Sequence, residues 1–451
     1  MKIAGIIAEY NPFHNGHKYH LDQVKRLTGA DAVVAVISGS VTQRGEIALC
    51  DKWSRAQMAV DNGIDLVLEL PFAFAVNSAE EFARGGVSVL QSLGCVTDLV
   101  FGCESDPETV ISMARRSAEK EEEFQRLIRS GLEQGLSYPQ ARGNAMVQFL
   151  GDSIDETALQ GAAMDQPNDI LAVEYVRQLV LQGSSITPHG IKRLGKYHDT
   201  QLRREDGEDS SIYSSATAVR KAVRAGRMKE AARAVPEPTL DVLRNSGFDF
   251  ECTERTMGNM EAIRMDSMLL SHLLYLGPER LREIQGCSEG LEYRIWKALP
   301  NADSLEELLK LVSSGRYPTA RIRRVLMHSL VGLTKEKFNR LKKSAMDGGL
   351  CTRVLGFNET GAKLLKQIKK SELPPILYTN LNKELNEEEK SIVRGEKRIA
   401  DLNGTDVNVI SLALDLRAAE IAAMSRGERL YGNSDFVKNP YIAHKSEKNH
   451  K

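Results

Sequence analysis

The chain is 451 residues long, with 60 lysines and arginines against 61 acidic residues and a net charge of -1. That length exceeds one ordinary core and predicts two or three domains, while 42% hydrophobic and 27% charged residues exclude a disordered or fibrous class. Balanced charge leaves any nucleic-acid partner to local patches. The opening MKIAGIIAEYNPF is too short for a signal-peptide core, and no apolar run reaches the roughly 18 residues needed to span a bilayer, so a soluble, cytoplasmic protein is expected. Cys50, Cys95, Cys103, Cys252, Cys287 and Cys351 form no C-x-x-C pair and read as free thiols, with no disulfide framework and no zinc site.

Four short runs of branched apolar residues come first, at 2–8 (KIAGIIA), 31–38 (DAVVAVIS), 65–71 (DLVLELP) and 97–102 (TDLVFG), and each reads as a strand. Between them, 17–29, 51–63 and 78–94 place apolar residues three and four apart with glycine near their ends, the pattern of helices. Strands buried on both faces and alternating with such helices predict a doubly wound parallel α/β sheet with right-handed crossovers. Residues 106–165 turn charged and helical, as an insertion; 168–183 reads as a helix with Asn168 at its N-cap, and 184–194 as a strand. After a polar loop, 213–235 reads as one serine-led helix, and Pro236 and Pro238 mark the first domain boundary. Residues 240 to 345 carry only helical signals, and from 350 CTRVLGF, TGAKLLKQIKK and PPILYTN suggest a small α/β element before a charged tail.

In open parallel sheets, ligands lie outside the carboxyl ends of the strands. EYNPFHNGHKYH (9–20) holds that place after the first strand and leads into a helix opening near Gly16, so unpaired amides and the positive end of the helix dipole face a ligand there. His14 and His17 add imidazole donors around Gly16, which lets the chain approach a ligand closely, and the arrangement suits a polyphosphate. His20 reads as a structural neighbour. A second cluster, Ser214, Ser215 and Thr217 with Arg220 one turn along, reads either as an ordinary N-cap or as a second jaw on the phosphates. The loop SGSVTQRGE (38–46), and Lys52 and Arg55 beyond it, are candidates for the acceptor pocket or an RNA contact, or plain polar surface. No metal-ligand cluster stands out.

These motifs, in this order, resemble the H-x-G-H superfamily of nucleotidylyltransferases and class I aminoacyl-tRNA synthetases. GIIAEYNPFHNGHKYHL, followed by ISGSVTQRGEIAL (37–49), LELPFAFAVNSAEEFA (68–83) and LVFGCES (99–105), narrows the resemblance to the bacterial tRNA(Met) cytidine acetate ligase family. The resemblance implies a nucleotidylyltransferase-like catalytic domain over 1–235, a helical tRNA-binding region over 236–345 and a small α/β region over 346–451. It implies that ATP and acetate form acetyl-AMP and pyrophosphate, and that the acetyl group then passes to N4 of the wobble cytidine of elongator tRNA(Met). Mg²⁺ is expected with ATP, and no obligate protein partner is implied. The ATP site maps onto Ile7, Ala8, Glu9, Tyr10, Asn11, Pro12, Phe13, His14, Asn15, Gly16, His17, Lys18, Tyr19 and His20, with Gly102, Asn168 and Arg193. The catalytic role falls to His14 and His17. On the residues' own terms, Gly102 is equally a turn glycine, Asn168 a helix cap and Arg193 a surface arginine.

Residues 316–343 hold nine basic residues against the single acid Glu336. On its own this reads as a solvated helical face; with the resemblance it becomes an RNA-binding block in which Arg316, Arg321, Arg323, Arg324, Lys335 and Lys337 contact tRNA and Tyr317 is available to stack. Two other readings differ in class. A nucleotidylyltransferase acting on a small phosphorylated metabolite needs only the first domain, and a non-catalytic RNA-binding protein needs neither histidine.

Overall fold

The five segments expected as strands form β1 (Ile3–Ala8), β2 (Ala32–Ser38), β3 (Leu66–Leu70), β4 (Asp98–Cys103) and β5 (Thr187–Lys192). The structure is a computed structural model that describes residues 1–149, 166–193, 215–246, 257–396, 405–428 and 434–443. β1 pairs in parallel with both β2 and β4, β2 with β3, and β4 with β5. The chain therefore runs outward from β1 through β2 to β3, returns to the other side of β1, and continues to β5. The carboxyl end of β1 is the point where the winding reverses, which is where such sheets bind ligands.

Side-chain alternation sorts the strands onto two cores. Ile3, Ile7, Val34, Val36, Leu66, Leu68, Leu99 and Phe101 face one layer, with the helices Ala79–Ser92, Pro167–Leu181 and Val407–Arg426. Ala4, Ile6, Val33, Ala35, Ile37, Val67 and Val100 face the other, with the helices Asn15–Thr28, Lys52–Asp61 and Glu237–Asn245. A third cluster, from Leu269 to Leu326, organises the helical region, including Leu291–Ala298, Leu305–Val312 and Thr319–Val331.

Two local expectations are corrected. The segment 213–235 is not one helix: Gly226, at φ 67°, separates Ala216–Arg224 from Met228–Ala234. Asn168 is not an N-cap, because the helix begins at Pro167 with Gln166 before it. The C-terminal residues do form strands, but these join the first sheet: β6 (Thr352–Phe357) runs antiparallel to β3, and β7 (Leu377–Tyr378) and β8 (Tyr441–Ile442) pair with β6. Likewise Glu237–Asn245, a helix capped by Pro236 and containing Pro238, packs on Lys52–Asp61, with Asn62 Nδ2 donating to Thr239 Oγ1 at 3.1 Å.

A buried ionic network fastens the added strand. Lys52 Nζ lies 2.8 Å from both Glu69 carboxylate oxygens and 2.6 Å from Asp435 Oδ2. Arg353, on β6, reaches Asp435 at 3.2 Å and stacks over Trp53 at 4.9 Å. All four ions are at most 2% exposed, so each depends on its partners for the solvation it has lost. Among the described residues, no helix is long and apolar enough to cross a membrane, and Cys50, Cys95, Cys103, Cys287 and Cys351 are free thiols; Cys252 lies outside them.

Removing Asp435 leaves Lys52 and Arg353 buried beside one carboxylate. We expect Asp435→Ala to lower the urea unfolding free energy by about 3–5 kcal/mol. A loss below about 1 kcal/mol would mean that the network is open to water.

Candidate active site

Beyond β1 the backbone turns sharply. Tyr10 takes φ 46°, Asn11-Pro12 is a cis peptide, and the Tyr10 and Phe13 rings pack 4.8 Å apart in the core. Two contacts hold Asn11: its Oδ1 accepts from Leu49 N at 2.8 Å, and its carbonyl accepts from Arg220 at 2.9 Å. The turn delivers His14 as the N-cap of helix Asn15–Thr28.

That cap fixes both imidazoles. His14 Nδ1 accepts from the Gly16 amide at 3.1 Å, and His17 Nδ1 accepts from the His14 amide at 3.2 Å. With Nδ1 accepting in each ring, the proton of the neutral form sits on Nε2. The rings stack 3.7 Å apart. Gly16 is needed for a reason other than ligand approach: a Cβ there would come within 2.9 Å of His14 Cε1.

Burial, then the charges of Arg193 and Arg220, lowers the pKa of His14 to about 3. Burial followed by His14 and Arg193 holds His17 well below its ordinary value, and burial and Arg193 bring His20 to about 4. At neutral pH the imidazoles are uncharged donors, and the charges acting on His14 are those of Arg193 and Arg220.

Arg193 Nη1 donates to Asn168 Oδ1 at 3.2 Å, and Asn168 Nδ2 donates to Glu104. The neighbouring Asp169 accepts from the Glu104 amide at 2.7 Å and the Ser105 hydroxyl at 2.6 Å, so the start of helix Pro167–Leu181 is laced to the end of β4. A Cβ on Gly102 would come 3.3 Å from Arg193 Cγ. On the facing side, Ser215 caps helix Ala216–Arg224 and Arg220 braces on Thr217 at 3.1 Å.

These groups open onto one cleft of about 1440 Å³. Of the expected nucleotide residues, Ile7, Ala8, Glu9, Tyr10, Asn11, His14, Gly16, His17, Tyr19, His20, Gly102, Asn168, Arg193, Ser215, Thr217 and Arg220 line it. Pro12, Phe13, Asn15 and Lys18 do not. Phe13 is core, Asn15 donates to Arg233 O at 3.0 Å, and Lys18 pairs with Asp22 at 2.8 Å. Ser214 lies outside the described residues. From the loop after β2, Thr42, Gln43, Arg44 and Glu46 line the cleft, and the Gln43 amide donates to Glu9 Oε1 at 2.7 Å. Lys52 and Arg55 are buried and do not line the cleft. Asn77 and Phe82, within the quoted stretch 68–83, also line the cleft, as do Tyr138 and Tyr175, which no motif in the sequence marks.

The basic block divides. Arg316, Arg321 and Arg324 reach the cleft; Arg323, Lys335 and Lys337 do not. Lys335 donates to Arg282 O at 2.7 Å, and Lys337 to Gly332 O at 2.8 Å, closing the end of helix Thr319–Val331. Tyr317 is buried, with its hydroxyl donating to Glu289 O, and is not available to stack. Arg324 has its pKa lowered to about 10 by burial and by the like charges of Arg321 and Arg44.

A parallel sheet with paired histidines capping the helix after β1 defines a nucleotidyl transferase, and residues 1–427 match the family model described as HIGH Nucleotidyl Transferase. The chain is 36% identical to the tRNA(Met) cytidine acetate ligase of Thermosipho melanesiensis over 453 residues, covering 99% of this chain and 100% of the relative. It is 36% identical to that of Halothermothrix orenii over 382 residues, covering 84% and 87%. The apo form I crystal structure of Thermotoga maritima TmcAL aligns at a TM-score of 0.82 and 33% identity, covering 98% of this chain and 99% of that one; form II, bound with alpha-thio ATP, aligns at 0.80 and 32% over the same shares. The chain belongs to the tRNA(Met) cytidine acetate ligase family.

The imidazole pKa values carry a pH dependence of stability. A histidine whose folded pKa lies below 6.5 is protonated in the unfolded state first, so its contribution is intact above pH 6.5 and falls as pH drops toward the folded value. For His14 the loss at pH 5.5 is about 1.4 kcal/mol. Urea unfolding at pH 7.5 and 5.5 should show wild type losing more stability than His14→Asn, which keeps a capping residue. Equal losses would place His14 in water.

Proposed function

We propose that this chain is an ATP-dependent tRNA acetate ligase whose two steps share the one cleft. In the first, an acetate oxygen attacks the α-phosphorus of ATP, the bond to the bridging oxygen of pyrophosphate breaks, and acetyl-AMP forms. In the second, N4 of the cytidine at position 34 of elongator tRNA(Met) attacks the acetyl carbonyl carbon and AMP leaves. A proton is released from N4, and N4-acetylcytidine results.

The observation that carries this reading is the pair of neutral imidazoles with Nδ1 tied to the backbone, at the reversal point of the sheet, between Arg193 and Arg220. Nε2–H donors held in place beforehand stabilise charge as it builds on the phosphates, and the guanidiniums neutralise what is already there. No covalent nucleophile is required. Names of the relatives and the nucleotide analogue in the Thermotoga maritima structure support ATP and tRNA(Met) as substrates. Acetate follows from the family. Mg²⁺ is expected with ATP: N–H and guanidinium groups suit phosphate oxygens better than a cation, so the triphosphate itself would carry the ion.

In this reading residues 1–235 supply the nucleotide half of the cleft and 236–345 the RNA half, with 346–451 completing the sheet. Arg316, Arg321 and Arg324 are the tRNA contacts of that block. The enzyme acts where its tRNA is, in the cytoplasm.

The test supplies ATP, labelled acetate and bulk tRNA, then digests the RNA to nucleosides. We expect ATP-dependent label in N4-acetylcytidine, reduced about 10²–10³-fold in His17→Ala and in His14→Ala. Pyrophosphate release with a small phosphorylated acceptor and none with acetate would overturn the reading.

A further inference from the structure

A second groove, of about 820 Å³, lies on the helical region against Leu291–Ala298 and shares one lining residue, Arg316, with the large cleft. Arg316 thus stands on the ridge between the two. The groove is cationic and one-signed: Arg294, Lys297 and Arg316 line it, and no carboxylate does. Arg294 is held by the carbonyls of Val312, at 2.6 Å, and Ser313, at 3.3 Å, which orient its guanidinium without neutralising it. Tyr293, also on the wall, remains 43% exposed, with Arg282 stacked 5.3 Å from its ring centre. An anchored guanidinium and two further cations beside an exposed aromatic ring are what a flexible polynucleotide needs, phosphates meeting the cations and a base meeting the ring.

We propose that this groove is an RNA subsite, holding the one or two nucleotides that adjoin the base delivered into the cleft, with Lys297 and Arg294 on phosphate and Tyr293 under a base. The chain of an RNA leaving the cleft beside Arg321 and Arg324 crosses the ridge at Arg316 and enters the groove. The subsite rests on the tRNA reading above and extends it, since none of its three new residues lies in the basic block of 316–343.

The test uses the full-length protein with Lys297→Glu and, separately, Tyr293→Ala, both at exposed positions, so that folding is preserved. Three readouts are compared with wild type: acetate- and ATP-dependent pyrophosphate release without RNA, binding of full-length tRNA(Met) against salt, and binding of a hairpin containing only the reacting loop. Pyrophosphate release is expected to be unchanged in both variants. Lys297→Glu should weaken binding of both RNAs about tenfold and flatten the dependence of log K on log salt by about one unit, since one phosphate contact is lost and a repulsion added. Tyr293→Ala should weaken both about tenfold with the salt slope unchanged. Wild-type affinity and slope in both variants would overturn the subsite while leaving the acetate ligase reading intact. So would a penalty confined to full-length tRNA, which would move the contact away from the reacting nucleotide. If wild-type protein binds and acetylates no tRNA, the functional reading itself fails.

Discussion

Arg55 is fully buried, and its guanidinium donates to the carbonyls of Glu9 at 2.6 Å, Ser38 at 2.9 Å and Gly39, while Nε reaches Cys50 at 3.3 Å. Adjacent parallel strands end side by side, and where they end their carbonyls lose the ladder that satisfied them. One planar cation gathers these orphans from β1 and β2 and thereby sets where each loop departs. The loop from β1 carries Tyr10 to His14; the loop from β2 carries Gln43, which braces Glu9. The distance between the histidines and the opposite wall of the cleft is inherited from this tie.

With the loops fixed, the site separates geometry from charge. The histidines are uncharged and locked by backbone amides, which makes them donors of defined direction that cost little to reorganise. Charge comes from arginines anchored elsewhere: Arg193 on Asn168, Arg220 on the Asn11 carbonyl. Burial keeps both imidazoles neutral, and Arg193 at the two rings and Arg220 at His14 push the same way. A triphosphate arriving there meets direction from one set and field from the other.

The nucleotide half of this arrangement was readable from the chain because it is local. Strand, turn and helix lie within residues 3–28, and apolar alternation and capping chemistry both operate over a few residues. Lys52 and Arg55 were not readable, because a charged side chain on an amphipathic helix shows nothing of the carboxylates or carbonyls that will bury it. The partner of Lys52 at Asp435 is 383 positions away. CTRVLGF reads as part of a small α/β element, but the place of β6 beside β3 is a long-range pairing that no local pattern encodes. Within the basic block, charge alone did not separate Arg324, which faces the cleft, from Lys337, whose ammonium closes a helix end.

The pairing of β3 with β6 also sets a schedule. As the chain is made from its amino end, the histidines, Asn168, Arg193 and Arg220 all exist long before residue 352, yet until then β3 presents an open edge and Glu69 and Lys52 lack Arg353 and Asp435. An open edge above a half-neutralised interior is the part of a nascent sheet most exposed to wrong partners. The binding face thus acquires its final shape only when the last strands are translated, and synthesis interrupted after the catalytic motifs would yield a chain that carries the chemistry without the enclosure to use it.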